Sequence, residues 1–278
     1  MPAMLPLEPR SSPGRPGVLA ALAQRDTVYP IVLFFALACL LTWALLPLAR
    51  ISIAFSLLAL CGPAAAAVIT ATLWRREELA GLWRRTTLWR VGGRWYLLAL
   101  LLPILVSGVR SGIEYVLGVP GPIGFQPISV LNLIVFALIA GEEIGWRGLA
   151  LPHLANRVGW PRASFIIGIL WAVWHLPLFH MAGMPQYRSP FLPYVGYTIA
   201  LSVILGVLTL NTAGSVVIAT LFHGAVNTFG IVNAGTGLEL RGWSNAVCYG
   251  LAACVVAALA AKRGAGAVGT ATMSRPRG

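Results

Sequence analysis

The chain has 278 residues, of which 58% are hydrophobic and only 10% are charged, and this excludes an ordinary soluble domain, in which about 25% are charged. A surface so poor in charge cannot face water on all sides, so most of it must face lipid. The net charge of +12 does not indicate nucleic-acid binding, because the cations lie in a few loops and at the termini.

The order of apolar stretches predicts an all-α fold, a polytopic membrane bundle of about eight transmembrane helices. Residues 1–27 are rich in proline and are predicted to be a flexible cytoplasmic tail, as are residues 262–278. The transmembrane bundle is predicted over 28–261. Each stretch has about 18–24 residues, enough to cross an apolar core of about 30 Å. The stretches are 28–49, 51–74, 95–117, 128–150, 163–180, 191–210, 214–234 and 243–261.

The charges between these stretches predict the orientation of the bundle. With the N-terminus in the cytoplasm, fifteen cations fall on the cytoplasmic side and only three, Arg50, Arg188 and Arg241, on the other. Because cytoplasmic loops are enriched in Lys and Arg, this asymmetry predicts an even number of spans with both termini cytoplasmic. The loop 75–94 is the largest basic element. It is predicted to fix the topology, with contact to anionic lipid headgroups as a second interpretation.

Acidic side chains inside apolar stretches are candidates for function, because a charge in hydrocarbon is costly and is kept only for a reason. Three of the eight acidic residues lie there, Glu114 in the third stretch and Glu142 with Glu143 in the fourth. Glu114 follows Arg110 by four residues on the same helix face. That spacing predicts a structural ion pair.

The Glu142–Glu143 pair differs from Glu114 because only one of its two carboxylates has a cation in reach. Glu143 stands four residues before Arg147 and is predicted to pair with it. Glu142 points about 100° away around the helix, so it is free to act as a general base in an apolar cavity. The alternative is a packing helix with two paired carboxylates. Flanking glycines predict the close approach of another helix.

Two histidines also lie inside apolar stretches. His175 is in the fifth, and His223 is in the seventh, one turn before Asn227 on the same face. Counted from the predicted cytoplasmic helix ends at 1.5 Å per residue, Glu142, His175 and His223 share one layer about 12–18 Å deep, near the midplane. Three helices therefore bring polar groups to one depth, as a single polar cavity requires.

These residues form three motifs, each on a separate stretch and in a fixed order. They resemble the motifs of the CAAX protease and bacteriocin-processing family, also called the Abi family, and its type II CAAX prenyl endopeptidases. The resemblance covers about residues 128–234, the predicted catalytic core. Phenylalanine is commoner in the family at the position of Trp171, a departure that bears only on packing. The motifs are Glu-Glu-x3-Arg at Glu142, Glu143 and Arg147, aromatic-x3-His at Trp171 and His175, and His-x3-Asn at His223 and Asn227.

The resemblance implies an intramembrane endopeptidase and a role for each residue. Glu142 is the implied general base on a water molecule, assisted by His175, while His223 and Asn227 stabilise the oxyanion. Glu143 pairs with Arg147 and braces the helix. The implied partners are membrane lipid and a membrane-associated protein or peptide, with or without a lipid group, and no nucleic acid.

No cofactor is expected, because the four polar residues have roles without an ion and the chain has no His-Glu-x2-His motif. Zinc is the alternative, with Glu142, His175 and His223 as its ligands. The composition, rich in alanine and arginine with a single lysine, is typical of a GC-rich bacterial genome. The predicted location is therefore a bacterial plasma membrane.

Two further classes of function are kept as alternatives. A proton- or cation-coupled transporter would use the same ionisable groups but would continue the polar path outward, where Asn132 is one of few polar residues. A non-catalytic immunity or scaffold protein would keep the fold, although all four proposed catalytic residues are present. A membrane protease with two intramembrane aspartates is excluded, because Asp26 is the only aspartate.

Overall fold

The structure, a computed structural model, describes residues 18–74, 76–119, 121–125, 127–229, 231–233 and 237–262. Most of both predicted tails, 1–27 and 262–278, lies outside the described residues, and the first helix begins at Val18. The described α-helices are α1 Val18–Leu45, α2 Ile53–Ala59, α3 Gly62–Trp74, α4 Glu77–Thr86, α5 Gly93–Val116, α6 Val130–Glu143, α7 Leu151–Val158, α8 Trp160–Trp174, α9 Phe191–Asn211, α10 Val216–Thr228 and α11 Leu238–Lys262.

A few described segments are not α-helical. A 3-10 helix, Leu46–Arg50, ends α1, and a second, Leu176–His180, follows α8. A π-helix, Ile144–Ala150, joins α6 to α7 in one continuous rod. Two short strands, β1 Ile123–Phe125 and β2 Ile231–Asn233, pair antiparallel with Ile123 opposite Asn233. The predicted all-α membrane bundle is confirmed.

Five described helical segments are long and apolar enough to cross a membrane, which makes the chain a multi-pass membrane protein. The pair α2 and α3, bent by 42°, is a sixth if taken as one span. The other two predicted stretches correspond to α6 and α10, which are shorter. Charges interrupt the apolar run at the end of α6, and α10 has only 13 residues. The five are Tyr29–Arg50, Gly93–Val116, Trp160–His180, Phe191–Asn211 and Leu238–Lys262.

Serine side chains fix where three of these helices begin. The Ser129 hydroxyl accepts a hydrogen bond from the backbone N–H of Asn132 at 3.2 Å, and the Asn132 side-chain oxygen accepts one from the backbone N–H of Ser129, so α6 starts with a capping box. Ser215 accepts from the backbone of Ile218 at the start of α10, and Ser52 does the same for Ala54 at α2. Each cap satisfies a backbone donor that the helix itself leaves unpaired.

Glycines let the break between α2 and α3 pack closely against the end of α6 and the start of the π-helix. A Cβ at Gly141 would lie 2.7 Å from the Leu60 carbonyl oxygen, and one at Gly145 would lie 2.7 Å from Pro63 Cβ. Both distances are too short for any side chain, so close backbone contact requires glycine here. The predicted close approach at these glycines is therefore confirmed, and the approaching chain is the bend at Leu60–Pro63.

Candidate active site

The first candidate group is the carboxylate of Glu142, which is 3% exposed near the end of α6. One of its oxygens, Oε2, accepts a hydrogen bond of 2.9 Å from the indole Nε1 of Trp171 on α8. The bond leaves Glu142 with a neutral partner, and a carboxylate oxygen keeps further lone pairs for other donors.

Glu143, the neighbouring carboxylate, is fully buried and holds two partners with one oxygen. Its Oε1 lies 3.2 Å from Arg147 Nη1, as the spacing of four residues predicts. The same Oε1 lies 2.8 Å from Nδ1 of His223 on α10. Glu143 thus joins two helices, a link that sequence spacing within one helix could not reveal.

Trp171 is the residue around which the site is arranged. Besides donating to Glu142, its ring lies 4.9 Å from the ring of His223 and 5.8 Å from that of His175, both edge to face. The Arg147 guanidinium carbon lies 4.7 Å from the same ring centroid, a cation–π distance. The sequence interpretation gave Trp171 a packing role only. Its available signal was the polar N–H that an indole has and the commoner phenylalanine lacks.

His175 caps the C-terminal end of α8 and is nearly buried. Its Nδ1 lies 2.8 Å from the backbone oxygen of Trp171. Because a carbonyl oxygen only accepts, Nδ1 donates, and in a neutral ring Nε2 is then left as an acceptor. The ring packs edge to face against Trp174 at 4.6 Å and Tyr194 at 5.4 Å. These aromatic contacts fix the direction in which the acceptor nitrogen points.

A cavity of about 610 Å³ brings the four candidate residues together. Glu142, His175, His223 and Asn227 all line it, and Asn227 is the most exposed of them. The loop 181–190 and the start of α9 supply further lining residues, among them Gln186 and Tyr194, which the sequence interpretation did not single out. The arrangement places one carboxylate, two imidazoles and one amide around a common space.

The π-helix begins directly after Glu143. Its hydrogen bonds skip one additional residue, as when the Leu151 N–H donates to the Trp146 carbonyl oxygen. π-Helical turns are rare and occur often at functional sites. Hydrophobic periodicity does not reveal one additional residue in a turn, so the sequence predicted an ordinary helix over 128–150.

Comparison with known proteins identifies the part of the chain that carries this geometry. The family model described as "Type II CAAX prenyl endopeptidase Rce1-like" matches residues 124–229. The "CAAX prenyl protease 2" of Methanococcus maripaludis is 30% identical over 138 residues, which are 47% of this chain and 49% of that protein. The matched segment is similar to the CAAX protease family. The alignment spans about half the length of this relative, and the resemblance predicted from the three motifs is confirmed.

The segment matched by the family model contains every candidate site residue, from Glu142 on α6 to Asn227 on α10. It also contains Trp171 and Tyr194. The walls supplied by α1, α2 and α11 lie outside it. The polar centre of the cavity thus belongs to the family segment, and part of its apolar wall does not.

The three residues predicted as alternative zinc ligands, Glu142, His175 and His223, are each engaged in a hydrogen bond. Among the residues that the structure describes, no group of three His, Cys, Asp or Glu side chains is placed to hold a metal ion. Glu142 is hydrogen-bonded to Trp171, and His175 and His223 each use Nδ1 for other partners. Each of these hydrogen bonds leaves the other ring nitrogen or carboxylate oxygen available to a ligand, so zinc stays the alternative.

Proposed function

We propose that the protein is an intramembrane endopeptidase that hydrolyses a peptide bond in a membrane-associated protein or peptide. The observation that carries the proposal is the shared cavity of Glu142, His175, His223 and Asn227, inside a segment that matches the CAAX protease family. The name of the Methanococcus relative supports the same reaction class. Hydrolysis needs a base, a water and a stabiliser of the oxyanion, and the cavity holds side chains for each role.

Glu142 is the proposed general base. Its carboxylate is separate from the Glu143–Arg147 pair, so it can accept a proton without breaking that pair. The acceptor Nε2 of His175 is suited to orient the second hydrogen of the same water molecule. The hydroxide equivalent then attacks the scissile carbonyl carbon. The proton taken by Glu142 passes to the leaving amine, so the carboxylate is regenerated.

His223 and Asn227 are the proposed donors to the carbonyl oxygen as it becomes negative. The Asn227 amide carries N–H donors in any state. His223 already uses Nδ1 toward Glu143, so its Nε2 donates only if the ring carries both protons. The Glu143 carboxylate supplies the negative charge that such a ring requires nearby. Glu143 is thus a proposed positioning residue for His223 as well as the partner of Arg147.

The proposed reaction uses no metal ion, and no step above depends on one. The substrate class is a membrane-associated protein or peptide segment, with or without a lipid group, because much of the cavity wall is apolar. Leucine and isoleucine side chains from six segments of the chain contribute to that wall: Leu46, Ile53, Leu57, Leu60, Leu131, Ile139, Leu178, Leu201 and Leu238.

The test is a cleavage assay on purified protein with membrane-anchored and prenylated peptides. Wild type, Glu142→Ala and His223→Ala are compared, each with and without a metal chelator. We expect cleavage by wild type, insensitive to chelator, and loss of cleavage in both variants. Activity that survives in Glu142→Ala would remove the proposed base. Activity lost with chelator and restored by zinc would replace the metal-free mechanism with the zinc-dependent one.

A further inference from the structure

The cavity occupies one end of the helix bundle. It is lined by the C-terminal parts of α1, α8 and α10 and by the N-terminal parts of α6, α9 and α11, together with α2 and the loop 181–190. We call this the cavity end. Glu142, the carboxylate that lines the cavity, is twelve residues or about 18 Å from the start of α6, and sixteen residues or about 24 Å from the end of α7.

The opposite end of the bundle is formed by α4, the linker 87–92, the junction of α7 with α8, and the start of α10. We call it the basic end. Ser215 donates a hydrogen bond of 2.6 Å to the Leu88 carbonyl oxygen, and His153 Nε2 lies 3.5 Å from Glu78 Oε2. Trp74 at the end of α3 packs on the His153 ring at 5.0 Å. These contacts close the basic end, and none of these residues lines the cavity.

The two ends differ strongly in positive charge. Among residues with described side chains, the cavity end carries three cations, Arg50, Arg188 and Arg241. Trp83 and Trp89, 70% and 60% exposed at the basic end, are placed as interfacial anchors. The cations of the basic end are Arg76, Arg84, Arg85, Arg90, Arg94, Arg157, Arg162 and Lys262.

Positive charge in short loops is retained on the cytoplasmic side of a membrane, which makes the basic end cytoplasmic. From this and from the position of the cavity, we propose that the catalytic cavity opens on the non-cytoplasmic face of the membrane. The inference rests on the proposed function for its statement about substrate. The scissile segment is then a membrane-anchored polypeptide that has already crossed to the non-cytoplasmic face, and a lipidated tail in the cytoplasm is excluded as substrate.

The structure places Glu142 at a different depth from the one expected from the sequence. The fourth stretch was predicted to end at residue 150, which placed Glu142 about 12 Å from the cytoplasmic end. In the structure the rod continues through the π-helix and α7 to Val158. The additional turns lie on the cytoplasmic side, so they move Glu142 toward the other face.

Accessibility to a membrane-impermeant maleimide tests the orientation directly. The four cysteines, all unpaired, are first replaced by alanine. Pro185→Cys then places one thiol in the exposed mouth of the cavity, and Thr87→Cys places one on the exposed linker of the basic end. Ser189→Cys, a nearly isosteric change at the mouth, serves if Pro185→Cys does not fold. In detergent, each variant is labelled to show that its thiol is reactive.

In intact spheroplasts we expect labelling of Pro185→Cys and none of Thr87→Cys until the membrane is broken. The reverse pattern, or labelling of both in intact spheroplasts, overturns the inference. The cleavage assay above separates this result from the proposed function. Expected labelling without cleavage leaves the orientation standing and removes the protease. Cleavage that depends on Glu142, combined with reversed labelling, removes the orientation alone.

Discussion

Two buried ion pairs inside the bundle look alike in sequence and differ in what surrounds them. On α5, Arg110 and Glu114 lie 2.7 Å apart, and at the end of α6, Glu143 and Arg147 lie 3.2 Å apart. In each pair the arginine and the glutamate are four positions apart in the sequence, and both side chains are almost fully buried. An arginine–glutamate pair in hydrocarbon is therefore not in itself an indication of catalysis, because pairing offsets the cost of burying either charge.

The difference lies in the additional partner of each carboxylate. Glu114 accepts a hydrogen bond of 2.6 Å from the Ser244 hydroxyl, which holds α11 against α5. Glu143 bonds His223, whose imidazole can take up and release a proton. Only the second pair has a further carboxylate, Glu142, directly beside it on the cavity wall. Ionisable groups next to open space, rather than buried charge alone, distinguish the candidate active site.

The largest expected effect is on cleavage in Glu142→Gln. Loss of a general base lowers the rate by about 10³-fold. Glu114→Gln is the matched control, because it also removes one buried carboxylate from a membrane helix. We expect its rate per folded molecule to stay within a few-fold of wild type. Initial rates, normalised to the monodisperse fraction on size exclusion, measure both. Equal losses of cleavage rate in the two variants would show that Glu142 is no more important for the reaction than Glu114.

The second effect is on stability and should be shared by the two pairs. Arg110→Met and Arg147→Met each leave a buried carboxylate without its cation, at a cost of about 3 kcal/mol or more. The free energy of unfolding in detergent, followed by a denaturant titration, checks this. A stable Arg110→Met beside an unstable Arg147→Met would show that the α5 pair is dispensable for folding.

A smaller loss is expected when one donor to the oxyanion is removed. Asn227→Ala should lower kcat by about 10²-fold, because a preorganised donor acts mainly in the transition state. Asn245→Ala, which also removes an amide from the cavity wall, is the matched control and should keep near wild-type kcat. A change in KM alone for Asn227→Ala would assign that residue to substrate binding instead.

The smallest effect is expected for Trp171→Phe. The ring contacts with His175 and His223 are retained, while the 2.9 Å bond to Glu142 is lost. A hydrogen bond to a charged group contributes about 1.5–3 kcal/mol, and with water able to replace the indole we expect a loss of about 10-fold in kcat/KM. A steady-state comparison of the two enzymes measures it. An unchanged kcat/KM would show that the indole N–H contributes packing only.

The sequence revealed the residues of the site but not how they are joined. Glu142, His175 and His223 stood out because ionisable groups are rare in apolar stretches, and the i, i+4 partners Arg147 and Glu114 followed from helix geometry. The bond between Glu143 and His223 joins residues 80 positions apart, and the Trp171 indole reaches a carboxylate 29 positions away. Such contacts depend on how the helices pack, which periodicity within one helix does not contain.

The lengths of the helices were also predicted only in part from the sequence. Apolar length identified α5, α8, α9 and α11 closely, because each keeps a long apolar run despite the few charged residues it carries. The predicted stretch 214–234 corresponds to α10 of only 13 residues, followed by β2. A helix enclosed by other helices need not span the full apolar thickness, and hydropathy alone cannot tell an enclosed helix from one that faces lipid.

The wider winding of Ile144–Ala150 has a consequence for how this gene tolerates change. Deleting any single codon in that interval would let the rod return to 3.6 residues per turn. Because the π-turn already accommodates one additional residue, α7 would keep nearly the same face toward its neighbours after such a deletion. In an ordinary α-helical stretch the same deletion would rotate everything beyond it by about 100°. The interval should therefore accept the loss of one residue more readily than the α-helical parts of the same rod.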